Sequence, residues 1–487
     1  MLKNSVYRQT AKSLAVLIAA IVLTRFSMGL WLGVMTLVGM VCALSGKVGK
    51  SFAIYLMIIC MVEVNPILLP KKQFFGVLVR FGPLLIGLML MLRGVTGKGQ
   101  SRVPLGMLMA FLLVASVSSI NGWAPMVSFF KISNFIVFIL AFWFGLQTLS
   151  TDREGTDVLR SAIFAYSIFL ILGSALLLPF PSISQLSGVQ LAMREGNLEA
   201  AKIAMASEEG NVALFCGVTG QSQAFAIQAA MALAWLIADM LFVEKRFSKF
   251  HLALLAIGVI LLYYSRSRAG LFSLTVGIIA VAIWLPNKIN LSFDIKRHLR
   301  TGVSVLLVIG IIGGIGAEIS SGSISQWLRK VDDVENDQRS LSEAVTSSRQ
   351  GLIEESMRDF RRNYLLGTGF QVAEYTADQI AMAGTGFILS APIEKGLLPV
   401  MVLGETGIIG AIVFGIFLIS FYSSSCKRRL YVTAALFTVL LATNIGEATF
   451  FSPGGGGGLL WTVSIIGGYC IDMHLARERK YAYPSYH

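Results

Sequence analysis

Apolar runs alternate with short polar breaks along nearly the whole chain. They fall at 13–26, 28–45, 51–69, 75–93, 103–120, 126–147, 158–179, 214–241, 250–265, 269–286, 302–319, 397–421, 431–449 and 458–473. Many reach the roughly 18 residues that cross a hydrocarbon core. Backbone in lipid must satisfy its own hydrogen bonds, so these runs are helices. The pattern predicts an all-α, polytopic integral membrane protein with about 12–14 transmembrane helices. The first run has no small-residue cleavage site after it and reads as a retained span, not a signal peptide.

Composition agrees: 55% of residues are hydrophobic and 14% are charged, against roughly 25% charged in soluble domains. A net charge of +13 raises nucleic acid as a partner, but the distribution argues against it. With both termini in the cytoplasm, the cytoplasmic loops and tails collect Lys47, Lys50, Lys98, Arg102, Arg153, Lys245, Arg246, Lys249, Lys427, Arg428, Arg429 and Arg477. The outer turns are poorer, Lys71 and Lys72 being the main exception. This is the positive-inside pattern, so most of the basicity encodes topology. The five cysteines have no metal-site spacing and imply no disulfide framework.

Two outer segments interrupt the hairpins, 181–211 and 320–396. Connections of that length are uncommon unless functional. The first has a helical middle, LAMREGNLEAAKIAMA. In the second, SSRQGLIEESMRDFRRNYLLGTGF reads as a helix capped by Ser347 or Ser348 and ended by Gly367-Thr368-Gly369. Leu352, Ser356, Phe360 and Tyr364 form its apolar stripe, and Arg349 lies one turn earlier on the same stripe. The chain divides into an N-terminal bundle (1–210), a core (211–430) that includes the large loop, and C-terminal helices with a short basic tail (431–487).

Polar residues inside the spans are costly and mark function or pairing. Glu63, Arg80, Lys131, Gln221, Gln223, Glu405, Asn444 and Glu447 map to the outer half, and Asp239 is the main inner exception. Glu63 and Arg80 lie at similar depth and are placed to pair. Lys131 reads as snorkelling outward, and Glu405 as either a helix-to-helix bond or part of a site. The run Gly454 to Gly458 is either a loose turn or an anion nest. The one-sided depth points to a polar cavity open at the outer leaflet, not to a through-channel. A lipid-linked oligosaccharide flippase would need polar lining at both depths. A docking protein would use the loop alone.

The turn Tyr263-Tyr264-Ser265-Arg266-Ser267-Arg268-Ala269-Gly270 puts two guanidiniums at the outer surface, against the charge trend. They either meet lipid phosphates and loop carboxylates generically or hold a specific anion. Arginine suits a diphosphate because its planar fork bonds in pairs. Fixed cations there would stabilise the charge that grows on a departing lipid diphosphate.

Four segments in order, GQSQAFAIQAAMALA (220–234), SRAGLFSL (267–274), SSRQGLIEESMRDFRRNYLLGTGF (347–370) and EKGLLPVMVLGETGIIG (394–410), resemble the superfamily of O-antigen ligases and Wzy-type polymerases. The resemblance covers roughly 210–420. It implies a GT-C-like, metal-independent membrane glycosyltransferase without a cofactor, in the bacterial inner membrane, working on the periplasmic face. It also implies a glycan on undecaprenyl diphosphate as donor, a glycan or lipid acceptor, and polysaccharide-assembly proteins as partners. Membrane lipids surround the chain, and no nucleic acid or metal is expected. By the resemblance, Arg268 and Arg349 hold the diphosphate, with Arg266 an extra neighbour. Arg361, Arg80, Gln223 and Glu405 complete the expected donor and glycan set. Family ligases carry a histidine near the end of the large loop; this chain has Pro392-Ile393-Glu394-Lys395-Gly396 there. Glu394 is the replacement general base expected here, unless it merely neutralises Lys395. The missing histidine favours a polymerase of O-antigen or exopolysaccharide repeat units over a ligase.

Overall fold

The computed structural model describes residues 2–69, 73–95, 104–150, 152–186, 214–245, 248–285, 341–372 and 397–482. Helices dominate. They are α1 Leu2–Phe26, α2 Met28–Leu44, α3 Val48–Glu63, α4 Gln73–Val95, α5 Gly106–Ile120 and α6 Pro125–Leu149, then α7 Arg153–Leu177, α8 Ser222–Glu244, α9 Lys249–Tyr264, α10 Arg268–Ile278, α11 Leu341–Arg362, α12 Leu398–Lys427, α13 Tyr431–Gly446 and α14 Gly456–Glu478. Among the described residues, six helices are long and apolar enough to cross a membrane, and others are shorter and apolar. Among the described residues this multi-pass membrane protein is all-α but for one antiparallel pair, β1 Gln185–Leu186 with β2 Leu214–Phe215, and an isolated bridge between Val64 and Thr219. Each predicted span except 302–319, which lies outside the described residues, coincides with a helix.

Two span ends differ from expectation for a shared reason. The third helix stops at Glu63 rather than at 69, and α8 starts at Ser222 rather than at 214. Asn65 ties the two breaks together. Its N–H donates to the Val218 carbonyl at 2.7 Å, its Nδ2 donates to the Ile183 carbonyl, and its Oδ1 accepts from Ile67 N–H. One buried asparagine thus ties together the backbone around Ile67, Ile183 and Val218, and satisfies polar groups that the two shortened helices leave outside them.

Consecutive helices form hairpins, so the bundle has two ends. One carries the α9–α10 turn with Arg268; the other carries Asp239. Tight crossings use glycine: a Cβ on Gly49 would strike the Gly155 backbone, where α3 crosses α7. Helices α8 and α14 form the centre; 89% of the apolar window of each is buried. Trp235 and Trp461 are fully buried there. An aromatic cluster of Phe111, Phe135, Phe370, Phe414, Phe450, Phe451 and Trp461 runs from this centre toward the Arg268 end.

The Asp239 end holds an ion cluster that sequence reading half saw. Arg160 on α7 makes two hydrogen bonds to Asp239 and a third, at 2.6 Å, to Glu244. All three side chains are nearly buried. Asp239 therefore neutralises a membrane arginine. Described turns and helix ends on this side carry Lys47, Lys50, Arg153, Lys245, Lys249, Arg428 and Arg429.

Candidate functional site

Three structures meet at the Arg268 end. The first is the α9–α10 turn. Ser265 closes α9, donating from Oγ to the Leu262 carbonyl. Arg266 takes a left-handed φ of 49°, which re-aims the chain. Ser267 then caps α10 by accepting from Gly270 N–H. Both serines are buried, whereas Arg266 and Arg268 are partly exposed and Tyr263 and Tyr264 are exposed. Arg268 is the first residue of α10, beside the helix's N-terminal N–H groups. This first turn is wedged between two helices: a Cβ on Gly270 would lie 2.6 Å from the Ala226 Cβ of α8, and one on Gly446 of α13 would lie 2.7 Å from the Ala269 Cβ. Gln223, partly exposed, stands one turn before Ala226 on α8, and Glu447 follows Gly446.

The second structure is a backbone interlock. Helix α12 breaks at Gly407, whose φ is 63° and ψ −166°. The carbonyls orphaned by the break accept from the other segment: Thr368 N–H donates to the Gly404 carbonyl and Gly369 N–H to the Glu405 carbonyl, each at 3.1 Å. In return Ile408 N–H donates to the Tyr364 carbonyl at 2.9 Å and Ile409 N–H to the Leu365 carbonyl at 3.3 Å. The GTG turn and the GETG break are two halves of one knot. Glu405 within it is 1% exposed, and its carbonyl also accepts from Ser118 Oγ.

The third is a latch on the α5–α6 turn. Trp123 N–H donates to the Thr368 carbonyl, and its indole N–H to Asp359. Arg362 stacks over its ring at 4.7 Å. Phe370 N–H donates to Ser119 Oγ, and the Phe370 carbonyl accepts from Ser128 Oγ. Lys131 Nζ donates to the Gln371 carbonyl at 2.7 Å, and Gln371 Nε2 to the Phe451 carbonyl at 2.9 Å. Lys131 is 7% exposed, so it does not snorkel; it holds the loop.

Helix α11 differs from expectation at both ends. It begins by Leu341, which puts Ser347 and Ser348 inside the helix instead of at its cap. It ends at Arg362, because Asn363 Oδ1 accepts from Leu366 N–H and the Asn363 carbonyl from Gly367 N–H. The expected stripe holds at Ser356, which is buried with its backbone against Gly404. Tyr364, beyond the helix, is exposed. Arg349 stands two turns before Ser356. Arg361 is exposed. Arg80 belongs to α4; the side chains of Arg80 and Arg349 lie outside the described residues, as does all of Glu394 and the helical middle of 181–211.

The glycine run is not a loose turn. A Cβ on Gly457 or Gly458 would strike the carbonyls of Thr449, Ser452 or Pro453, while Gly455 and Gly456 face the Glu63 carboxylate. Glu63 accepts from Gln228 Nε2 at 3.1 Å, and Gln228 Oε1 from Tyr166 OH at 2.9 Å. Sequence reading missed Gln228 and Tyr166; a glutamine mid-span in an apolar helix was the available signal. It also missed Arg160, which lies at the depth of Asp239 with the opposite charge.

No protein-family model matches this chain, and no curated protein matches it.

Proposed function

We propose that the chain is a membrane glycosyltransferase that takes a glycan from an undecaprenyl-diphosphate carrier at the periplasmic face and polymerises O-antigen or exopolysaccharide repeat units. The observation that carries this reading is the knot. Two of the four resembling segments, GTGF and GETG, bind each other backbone to backbone, and the arginine-bearing turn stands at the same end of the bundle. Segments far apart in sequence thus converge on one end, as a shared site requires. The lysines and arginines at the Asp239 end support an orientation with that end cytoplasmic and the Arg268 end outside.

In the proposed reaction the acceptor hydroxyl attacks the anomeric carbon, the bond from that carbon to the diphosphate oxygen breaks, and the lipid diphosphate leaves with the electron pair. Arg268 and Arg349 hold the diphosphate, with Arg266 beside them, and stabilise the leaving charge. Arg361, Arg80, Gln223 and Glu405 serve donor and glycan. The acceptor proton passes to a carboxylate, assigned from sequence to Glu394. The test is glycan transfer by Arg268→Ala and Arg349→Ala. Transfer is expected to vanish while the amount of protein in the membrane stays the same. Retained transfer in both would refute the diphosphate clamp.

A further inference from the structure

Among the described non-glycine residues, φ is left-handed at Lys245, Arg266, Gln371 and Arg429. Lys245, Arg266 and Arg429 sit at helix C-termini, where that conformation closes the helix. Gln371, at φ 52°, instead lies in the loop past α11. Glycine or asparagine would adopt this conformation at less cost. Such a residue persists where its surroundings over-determine it, and several bonds do so here. Lys131 Nζ donates to the Gln371 carbonyl at 2.7 Å. Ser119 and Ser128 hold the N–H and the carbonyl of Phe370 before it. The Gln371 side chain then reaches across to another segment, its Nε2 donating to the Phe451 carbonyl at 2.9 Å.

Phe451 belongs to the connection between α13 and α14, which is stiff and starts at the arginine turn. Phe450 N–H donates to Asn444 Oδ1 at 2.6 Å, and the Phe450 carbonyl accepts from Trp461 Nε1 at 2.7 Å. The Phe451 ring stacks on Phe111 at 5.4 Å and meets the Phe370 ring edge-on at 5.0 Å. At the start of the connection Gly446 is pressed against α10: a Cβ there would lie 2.7 Å from the Ala269 Cβ. Ala269 follows Arg268 in the first turn of α10. A displacement at Phe451 is therefore passed along braced backbone to Arg268. We infer that Gln371 is a positioning residue: by tying the outer loop to the α13–α14 connection it fixes the first turn of α10, and so sets Arg268 against the donor's diphosphate, which rests on the glycosyltransferase reading above. Charge on the departing diphosphate grows toward the transition state, so a slightly misplaced Arg268 costs rate more than ground-state affinity.

Gln371→Gly separates positioning from stability, because it loses the bond to Phe451 but relieves the left-handed strain, two effects of opposite sign. Gln371→Asn does the same with an amide one methylene shorter, in a residue that tolerates the conformation. The full chain in lipid nanodiscs is assayed with carrier-linked repeat units extracted from cells that lack the chain. Each variant is expected to melt within about 3 °C of the wild type. Each should exchange amide hydrogens faster across 263–274, where the Gly270 and Leu271 N–H groups bond Ser267. Each should lower kcat about tenfold, with the donor KM changed by less than about twofold. Wild-type exchange across 263–274 in both variants overturns the inference, and so does a wild-type kcat in both. Melting more than about 5 °C below the wild type in both would make the residue structural and overturns it as well. If Arg268→Ala still transfers glycan, the diphosphate clamp itself falls. If Arg268→Ala loses transfer while both Gln371 variants keep it, only the positioning role falls.

Discussion

Gly367 and Gly407 lock against each other's neighbours. Both have left-handed φ, 73° and 63°. A Cβ on Gly367 would strike the Glu405 carbonyl, and one on Gly407 would strike the Leu365 carbonyl. Neither position tolerates a side chain on conformational or steric grounds. Gly367→Ala and Gly407→Ala are each predicted to cost at least about 1–3 kcal/mol from backbone strain alone, with the clash added. Gly351 provides the contrast: it lies within α11 with nothing among the described residues within 4 Å of its Cβ position, so Gly351→Ala is predicted to stabilise by about 0.5–1 kcal/mol. Thermal melting of the purified protein checks all three. Equal melting of Gly407→Ala and wild type would refute the knot.

At the opposite end, Asp239 is the principal counter-charge of Arg160. Removing it leaves a nearly buried guanidinium with Glu244 alone. Asp239→Ala is predicted to destabilise by about 3–5 kcal/mol, while Arg160→Met, Asp239→Leu and Glu244→Gln combined recovers most of that loss. The measurement is again the melting temperature in detergent. A mild Asp239→Ala would mean that the cluster is solvated.

Thiol chemistry tests burial and topology together. Burial pushes the Cys216 thiol up to about 12, so at pH 8 almost none is thiolate, the reactive form. It also donates to the Ser184 carbonyl. In intact cells carrying Ser at 42 and 426, a membrane-impermeant maleimide at pH 8 is predicted to leave Cys216 unlabelled and to label Tyr264→Cys. Lys50→Cys is predicted to label only after the cells are opened. The reverse pattern for Tyr264→Cys and Lys50→Cys would invert the orientation.

The helices were legible because lipid allows little else: an apolar run must bond its own backbone. The exceptions were places where a buried polar side chain supplies the missing bonds. Asn65 shortens two helices at once, and Asn363 ends α11 a turn before the glycines that were expected to end it. The motifs GTGF and GETG were visible, but their mutual bonding was not, since a backbone-to-backbone knot leaves only glycines as its trace. Lys131 looked like a snorkelling lysine because one strand of sequence cannot show the carbonyl of Gln371 arriving from a distant segment. Asp239 stood out alone because its partner Arg160 sits on a helix whose predicted start lay only a few residues earlier, where a charge looks peripheral.

The most direct measurement is the size distribution of glycans on the lipid carrier in cells that lack this chain, with Arg268→Ala alongside. The account predicts that single repeat units accumulate on the carrier in both and that longer carrier-linked chains disappear. Full-length chains stranded on the carrier would make the protein a ligase rather than a polymerase. A carrier-linked population indistinguishable from wild type would contradict the account altogether.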